Sequence, residues 1–240
     1  MTDMTIQRDA DFRVGNVLAR AWQILAPNFP LFFCVTFVVA LPNLIFLLRD
    51  PRTPNFAMLL LAMFLTIVVN AIGQAVILSA AFQYLRGRPV HIGEALQRAL
   101  ARFLPVVGVG LLYGLGIAFA SLLLVVPGLF LMTMWSVAVP VCVVEGLGPV
   151  ASLKRSTQLT KGYRWKVFGI LILLTIVSII LNQLITHLAV PMGIGVTALL
   201  ALITSAAWAT YWNSTLIMMY HDLRVAKEGV DTREIASLFD

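Results

Sequence analysis

Glu145 is the acidic residue best placed to do chemistry. It follows the stretch 104–144, which holds no charged side chain. It opens the segment EGLGPVASLKRSTQLTKGYRWK (145–166), which gathers Lys154, Arg155, Lys161, Arg164 and Lys166. A carboxylate at the edge of so apolar a run needs a partner. Lys154 or Arg155 can supply one from the same segment, and so can an arginine from elsewhere in the chain. Structural pairing outweighs a proton-coupled role for Glu145. Asp222 and Arg224, in the tail YHDLRVAKEG, can pair with basic segments in the same way. The other polar candidates are amides within apolar runs. Asn70 and Gln74 share a helix face at i, i+4. Asn182 and Gln183 lie near His187, and Asn213 lies in the last apolar run. Such amides either bond helix to helix or form the polar wall of a cavity.

Enzyme signatures are missing. The sequence has no phosphate loop, no zinc-type histidine pair and no nucleophile elbow. His91 and Glu94 share a turn, which reads as helix-start chemistry. Cys34 and Cys142 lie in apolar runs without metal or disulfide spacing, and are expected to be two buried small hydrophobes. Neither catalysis nor a cofactor is therefore expected.

The elements that must position these residues are membrane spans. Of the 240 residues, 60% are hydrophobic and only 12% charged, and the mean hydropathy is +0.93. Soluble domains carry about twice that share of charge. Apolar runs long enough to cross a bilayer fall at about 29–48, 56–82, 104–125, 128–144, 167–187 and 192–220. The Pro-Gly of VVPGL (125–129) divides the third from the fourth. The expected fold is all-α, a single six-helix transmembrane bundle. The polar start MTDMTIQRDAD does not resemble a cleavable signal peptide, so insertion is expected to rely on an internal span.

Fifteen of the seventeen Lys and Arg residues fall on one side of that bundle, leaving Arg49 and Arg52 on the other. Short basic loops stay in the cytoplasm, so both termini are expected there. The net charge of +6 then reports a cytoplasmic face beside anionic lipid and calls for no nucleic acid. Arg98, Arg102, Lys154, Arg155, Lys161, Arg164 and Lys166 are the candidates to touch lipid or a partner. Tyr163 and Trp165 are expected at headgroup depth.

Three basic segments resemble one another. VGNVLARAW (from Val14), IGEALQRAL (from Ile92) and VASLKRST (from Val150) share Leu18-x-Arg20-Ala21, Leu96-x-Arg98-Ala99 and Leu153-x-Arg155-Ser156. Each leads into a span, which suggests a threefold repeat of interfacial elbow helix, span, outer turn, span. The elbows are expected at about 12–26, 92–103 and 149–161, as amphipathic helices in the membrane interface or under the bundle. The apolar faces would be Val14, Val17, Leu18, Ala21, Trp22 and Leu25 in the first, and Ile92, Ala95, Leu96, Ala99, Leu100 and Phe103 in the second. In the third, Ser152, Leu153, Ser156, Thr157 and Thr160 share a sector. Asp231 and Glu234 have capping-box spacing, so a short cytoplasmic helix is expected at about 232–239. Gly110-x-x-x-Gly114 in the third span has small-residue packing spacing.

The stretch from Val126 to Leu173 and the tail together resemble the glycerophosphoryl diester phosphodiesterase membrane-domain family. The matching features are Pro127-Gly128, Trp135, Pro140, Glu145-Gly146, Leu153-Lys154-Arg155-Ser156, Lys161-Gly162, Asp222-Leu223-Arg224 and Glu228-Gly229. The likeness is strongest in the C-terminal half. It implies a bacterial inner-membrane protein. The family takes its name from proteins in which this domain precedes a phosphodiesterase domain, so the activity is not inherited with the resemblance.

The sequence thus points to a non-enzymatic integral membrane protein that binds anionic lipid, or organises protein partners or further copies of itself, through a basic cytoplasmic face. The alternative is a small transporter or lipid flippase with a cavity between helix pairs. An intramembrane enzyme ranks last.

Overall fold

The computed structural model describes residues 12–42, 56–85 and 92–229. Among these the chain is helical apart from short turns and connections, without a strand. Six helical segments are long and apolar enough to cross a membrane. The protein is an all-α polytopic membrane bundle. Many large apolar side chains face outward, among them Phe64, Leu104, Phe119, Leu122, Ile176, Ile180 and Leu188. In water such a surface would be costly; against lipid tails it is the expected coat.

Helix α1, Val14–Ala40, joins what the sequence suggests are two elements, an elbow and the first span. Pro27 and Pro30 lie inside it and do not end it. Each removes one backbone bond, to the carbonyls of Gln23 and Ala26. Both of those residues are exposed, so the freed carbonyls can meet water or headgroups. Asn28 Nδ2 donates to Ile24 O at 3.1 Å in the same turn. Val17, Ala21, Ile24 and Leu25 form the buried stripe, while Trp22, expected on it, is 59% exposed. Its ring meets Tyr211 edge-on, with centroids 6.4 Å apart. Cys34 is exposed on this helix rather than buried.

Helix α2 is Phe56–Leu85. Its buried face is largely small, with Ala71, Ala75, Ala80 and Ala81. A Cβ at Gly73 would come within 2.3 Å of Val39 Cγ2, so this glycine sets the close approach of α2 to α1. The second elbow, α3, is Ile92–Ala101. Among the described side chains of its expected apolar face, only Ala95 and Ala99 are buried; Leu96 and Leu100 project outward. The alanines dock, and the leucines are free to enter the membrane interface.

Helix α4, Phe103–Leu123, and α5, Val125–Trp135, form a hairpin. A short α6, Ala138–Val144, follows. The fourth span is therefore discontinuous. Pro140 lacks an N–H, so Ser136 O cannot receive the usual bond from four residues on. The third elbow, α7 (Pro149–Thr160), starts with Pro149 at its first turn, a position that suits proline. It packs against the break. Ser152, Ser156 and Thr160, one turn apart, are each 0% exposed. Ser156 Oγ donates to Met134 O at 2.8 Å, and Thr160 Oγ1 lies 3.3 Å from the same carbonyl. Of the sector expected to share a face, Thr157 is only half-buried, and Leu159 takes its place in the core.

Helix α8, Arg164–Ala189, leads through a 3-10 turn, Val190–Met192, into α9, Ile194–Glu228. Helix α9 carries the tail YHDLRVAKE as a direct continuation of the last span. It ends at Gly229 in the left-handed conformation (φ +65°), whose N–H caps Val225 O. It runs against α1, where the buried hydroxyls of Thr36 and Thr210 lie 2.7 Å apart. The short helix expected at 232–239, with Asp231 and Glu234, lies outside the described residues, as do Arg49 and Arg52.

The glycines of α4 are used differently from the Gly110-x-x-x-Gly114 expectation. A Cβ at Gly110 or Gly114 would meet nothing within 4 Å. The tight positions are Gly108, 2.7 Å from Pro149 Cγ, and Gly116, 2.4 Å from the Trp135 ring. Spacing alone does not tell which face of a helix meets a neighbour. Gly116→Val should therefore displace Trp135 and cost about 1–3 kcal/mol, whereas Gly114→Ala should be neutral or slightly stabilising. Thermal unfolding of the two variants in one detergent tests this; equal behaviour would refute the assignment of the packed face.

Candidate functional site

Four of the five amides singled out by sequence wall two neighbouring cavities. The first, about 390 Å³, lies between α2, α4, α9 and the α5–α6 break. Asn70 and Gln74 of α2 line it together with Trp212 and Asn213 of α9, and the broken span supplies Trp135, Ser136 and Pro140. The second, about 360 Å³, lies between α2, α8 and α9 and includes Asn182, Thr186, Thr204 and Trp208. Asn70, Gln74, Trp212 and Asn213 belong to both walls and so form the partition between them. Gln183 is exposed and lines neither cavity.

The partition is polar but uncharged. Asn70 Nδ2 donates to Thr66 O and Asn213 Nδ2 to Ala209 O, both at 2.8 Å and one turn back on their own helices. Each amide oxygen thus remains as an acceptor. Trp208 Nε1, on the wall of the second cavity, is buried without a hydrogen-bond partner. Among the described residues, no Asp, Glu, Lys or Arg lines either cavity. Ser136, whose carbonyl is released by Pro140, lines the first. These walls suit a molecule with uncharged hydrogen-bonding groups on an apolar body.

One turn from the first cavity stands a closed ring of five side chains. Helix α9 passes from Leu216 and Ile217 on the cavity wall to Tyr220, while α6 passes from Pro140 to Glu145. Arg155 Nε, from α7, meets Glu145 Oε2 at 3.0 Å, and Arg155 also donates to Glu228. Arg224 Nε meets Glu228 Oε2 at 2.9 Å. Arg224 donates to Tyr220 Oη at 3.2 Å, and Tyr220 Oη donates to Glu145 Oε1 at 3.1 Å. Burial alone would lower the pKa of Arg155, but its hydrogen bonds to Glu228 and Glu145 outweigh that and push it up. The partner of Glu145 is thus Arg155 of its own elbow, as one of the sequence alternatives has it. Arg224 turns to its own helix instead of a basic elbow.

Asp222, almost buried, pairs with Arg20 of α1 at 3.1 Å, and His221 Nδ1 lies 3.2 Å from the same oxygen. Arg102 donates to Gly146 O at 2.6 Å; Gly146 has φ +68°, and a Cβ there would strike the guanidinium at 2.6 Å. Lys166 Nζ donates to Phe12 O at 2.8 Å. Several residues expected to face lipid are therefore engaged within the bundle. Lys154 and Lys161 stand exposed. Arg164 lies against the Phe130 ring. The side chain of Arg98 lies outside the described residues.

The sequence assigns no pairing role to Tyr220 or Glu228, the two residues that close the ring. The Arg224–Glu228 spacing of i, i+4 is a readable signal. Tyr220 carries none, because a tyrosine at the end of a span is ordinary.

The chain matches no family model, and no curated protein or solved structure matches it either.

Glu145→Gln should leave Arg155 short of one carboxylate and destabilise the bundle by about 2 kcal/mol. Exchanging the pair, Glu145→Arg with Arg155→Glu, should lose less than the sum of the two single changes. Unfolding of the single and double variants in detergent measures the coupling. Strict additivity would show that the ring is not a connected unit.

Proposed function

We propose that this protein is a non-enzymatic carrier that moves an uncharged, hydrogen-bonding amphiphile between the two amide-walled cavities. The observation that carries this reading is the shared partition of Asn70, Gln74, Trp212 and Asn213 beside a discontinuous span. Transporter sites are often built where a helix is interrupted and its backbone becomes available to a ligand. The volumes fall within the usual range for small-molecule pockets, roughly 300–1,000 Å³. Among the described residues the walls carry no carboxylate, which suits passage that is not coupled to protons.

A second reading, binding of anionic lipid or a partner through a basic face, is favoured by exposed Lys154 and Lys161, with Val150, which is 70% exposed, one turn before the former and Trp165, which is 85% exposed, four residues after the latter. The two readings are compatible, since one concerns the interior and the other the rim. The charge asymmetry supports a cytoplasmic position for both termini, and the resemblance to the phosphodiesterase membrane domains supports a bacterial inner membrane.

Native mass spectrometry of the protein extracted with its surrounding lipid should reveal a retained uncharged amphiphile. Asn213→Leu and Gln74→Leu should each lower its retention about tenfold, the loss expected for one or two hydrogen bonds, while leaving unfolding temperature within a few degrees. Transfer of the same molecule in proteoliposomes should fall in parallel and be unaffected by a protonophore. Unchanged retention and transfer in both variants would overturn the carrier reading.

A further inference from the structure

We propose that the groove between α5 and the start of α8 holds one anionic phospholipid, with its phosphate on the guanidinium of Arg164. The groove measures about 590 Å³, and its wall is almost entirely carbon, from Val126, Leu129, Phe130 and Phe168. Thr133 also lines it, but its hydroxyl donates to Leu129 O at 2.8 Å and adds little polarity.

Arg164 is the exception in this wall. Its Nε is buried and makes no hydrogen bond, and no carboxylate among the described residues pairs with it. By contrast, Arg20, Arg155 and Arg224 each meet a carboxylate, and Arg102 meets a carbonyl. The Phe130 ring, 5.0 Å from the Arg164 guanidinium carbon, holds the group at the groove without neutralising it. A buried unpaired N–H of a cation calls for an anionic acceptor.

The rest of the site identifies the kind of anion. Val126 is 74% exposed and Phe130 50%, so the apolar wall opens outward. Trp165, beside Arg164, is 85% exposed, as suits an indole at the membrane interface. Arg164 is the first residue of a span, the depth at which headgroup phosphates lie. A free phosphate would use the guanidinium and leave the apolar wall empty. A phospholipid fills both, with an acyl chain along the groove. This assignment stands independently of the amide-walled cavities.

The test uses the full chain in a mild detergent, titrated with phosphatidylglycerol or phosphatidylcholine and read by native mass spectrometry. The wild type should retain one phosphatidylglycerol with about tenfold preference over phosphatidylcholine, whose choline cation already neutralises its phosphate and weakens the pairing with Arg164. Arg164→Gln should abolish the preference. Val126→Trp should fill the groove and lower occupancy although the charge remains, and it decides the matter if Arg164→Gln fails to fold. Lys154→Gln should leave the preference unchanged, and millimolar inorganic phosphate should not displace the lipid. Equal retention of the two lipids by the wild type would overturn the proposal. So would full occupancy in Val126→Trp, or a loss in Lys154→Gln as large as in Arg164→Gln. Displacement by phosphate would replace the lipid with a simple anion as occupant.

Discussion

The ring of Glu145, Arg155, Glu228, Arg224 and Tyr220 is the constraint on which the rest of the arrangement depends. It ties the end of the broken fourth span to the third elbow and to the last helix. Partly buried charges lose water, and they are stable only when every member has a partner. Glu145 meets two donors, Arg155 meets two carboxylates, and Tyr220 joins the ends. Closing the ring fixes where α6 stops, and with it the position of Pro140 and Ser136 one step further into the bundle. The same ring anchors α9 a single turn beyond Leu216 and Ile217. One wall of the first cavity is thereby held at both its edges.

The break in the fourth span poses a second problem, solved by the same elbow. A bilayer offers no water to a freed carbonyl. Helix α7 answers with a stripe of hydroxyls, and Ser156 donates to Met134 O just before the break. This explains why α7 is less apolar than the other two elbows. It packs against exposed backbone, where a leucine stripe would leave the carbonyl unanswered. The three elbows share an order in the chain yet meet their surroundings in three ways. The first is fused to its span, the second docks through two alanines, and the third serves the break.

The amide partition and the Arg164 groove divide the polar chemistry of the membrane region into two environments. The partition is uncharged and is built from α2 and α9. Among the described residues the groove carries a single cation, at a helix start, and it opens outward. An uncharged amphiphile suits the former and an anionic headgroup the latter, so one molecule need not satisfy both. Among the described residues, Arg20, Arg102, Arg155, Lys166 and Arg224 are bound to carboxylates or carbonyls within the bundle. The basic character of the sequence is therefore as much an internal fastening as a surface field.

Composition and periodicity alone determined that the chain is a six-span helical membrane protein, because a bilayer accepts few solutions for long uncharged runs. They also identified Glu145 as a paired acid, since an isolated carboxylate there is too costly, and marked Asn70, Gln74, Asn182 and Asn213 as unusual. What only the tertiary structure decided is which of these residues meet. Gln183 follows Asn182 by one residue, yet a helix turns about 100° between them, and it faces away from both cavities. Gly110 and Gly114 have the expected spacing, but the neighbours approach at Gly108 and Gly116. Arg155 and Glu228 are far apart in the chain, and no local rule joins them. Local patterns report the cost of placing a residue in lipid or water. The choice of partner belongs to the packing of distant helices, which a pattern of a few residues does not contain.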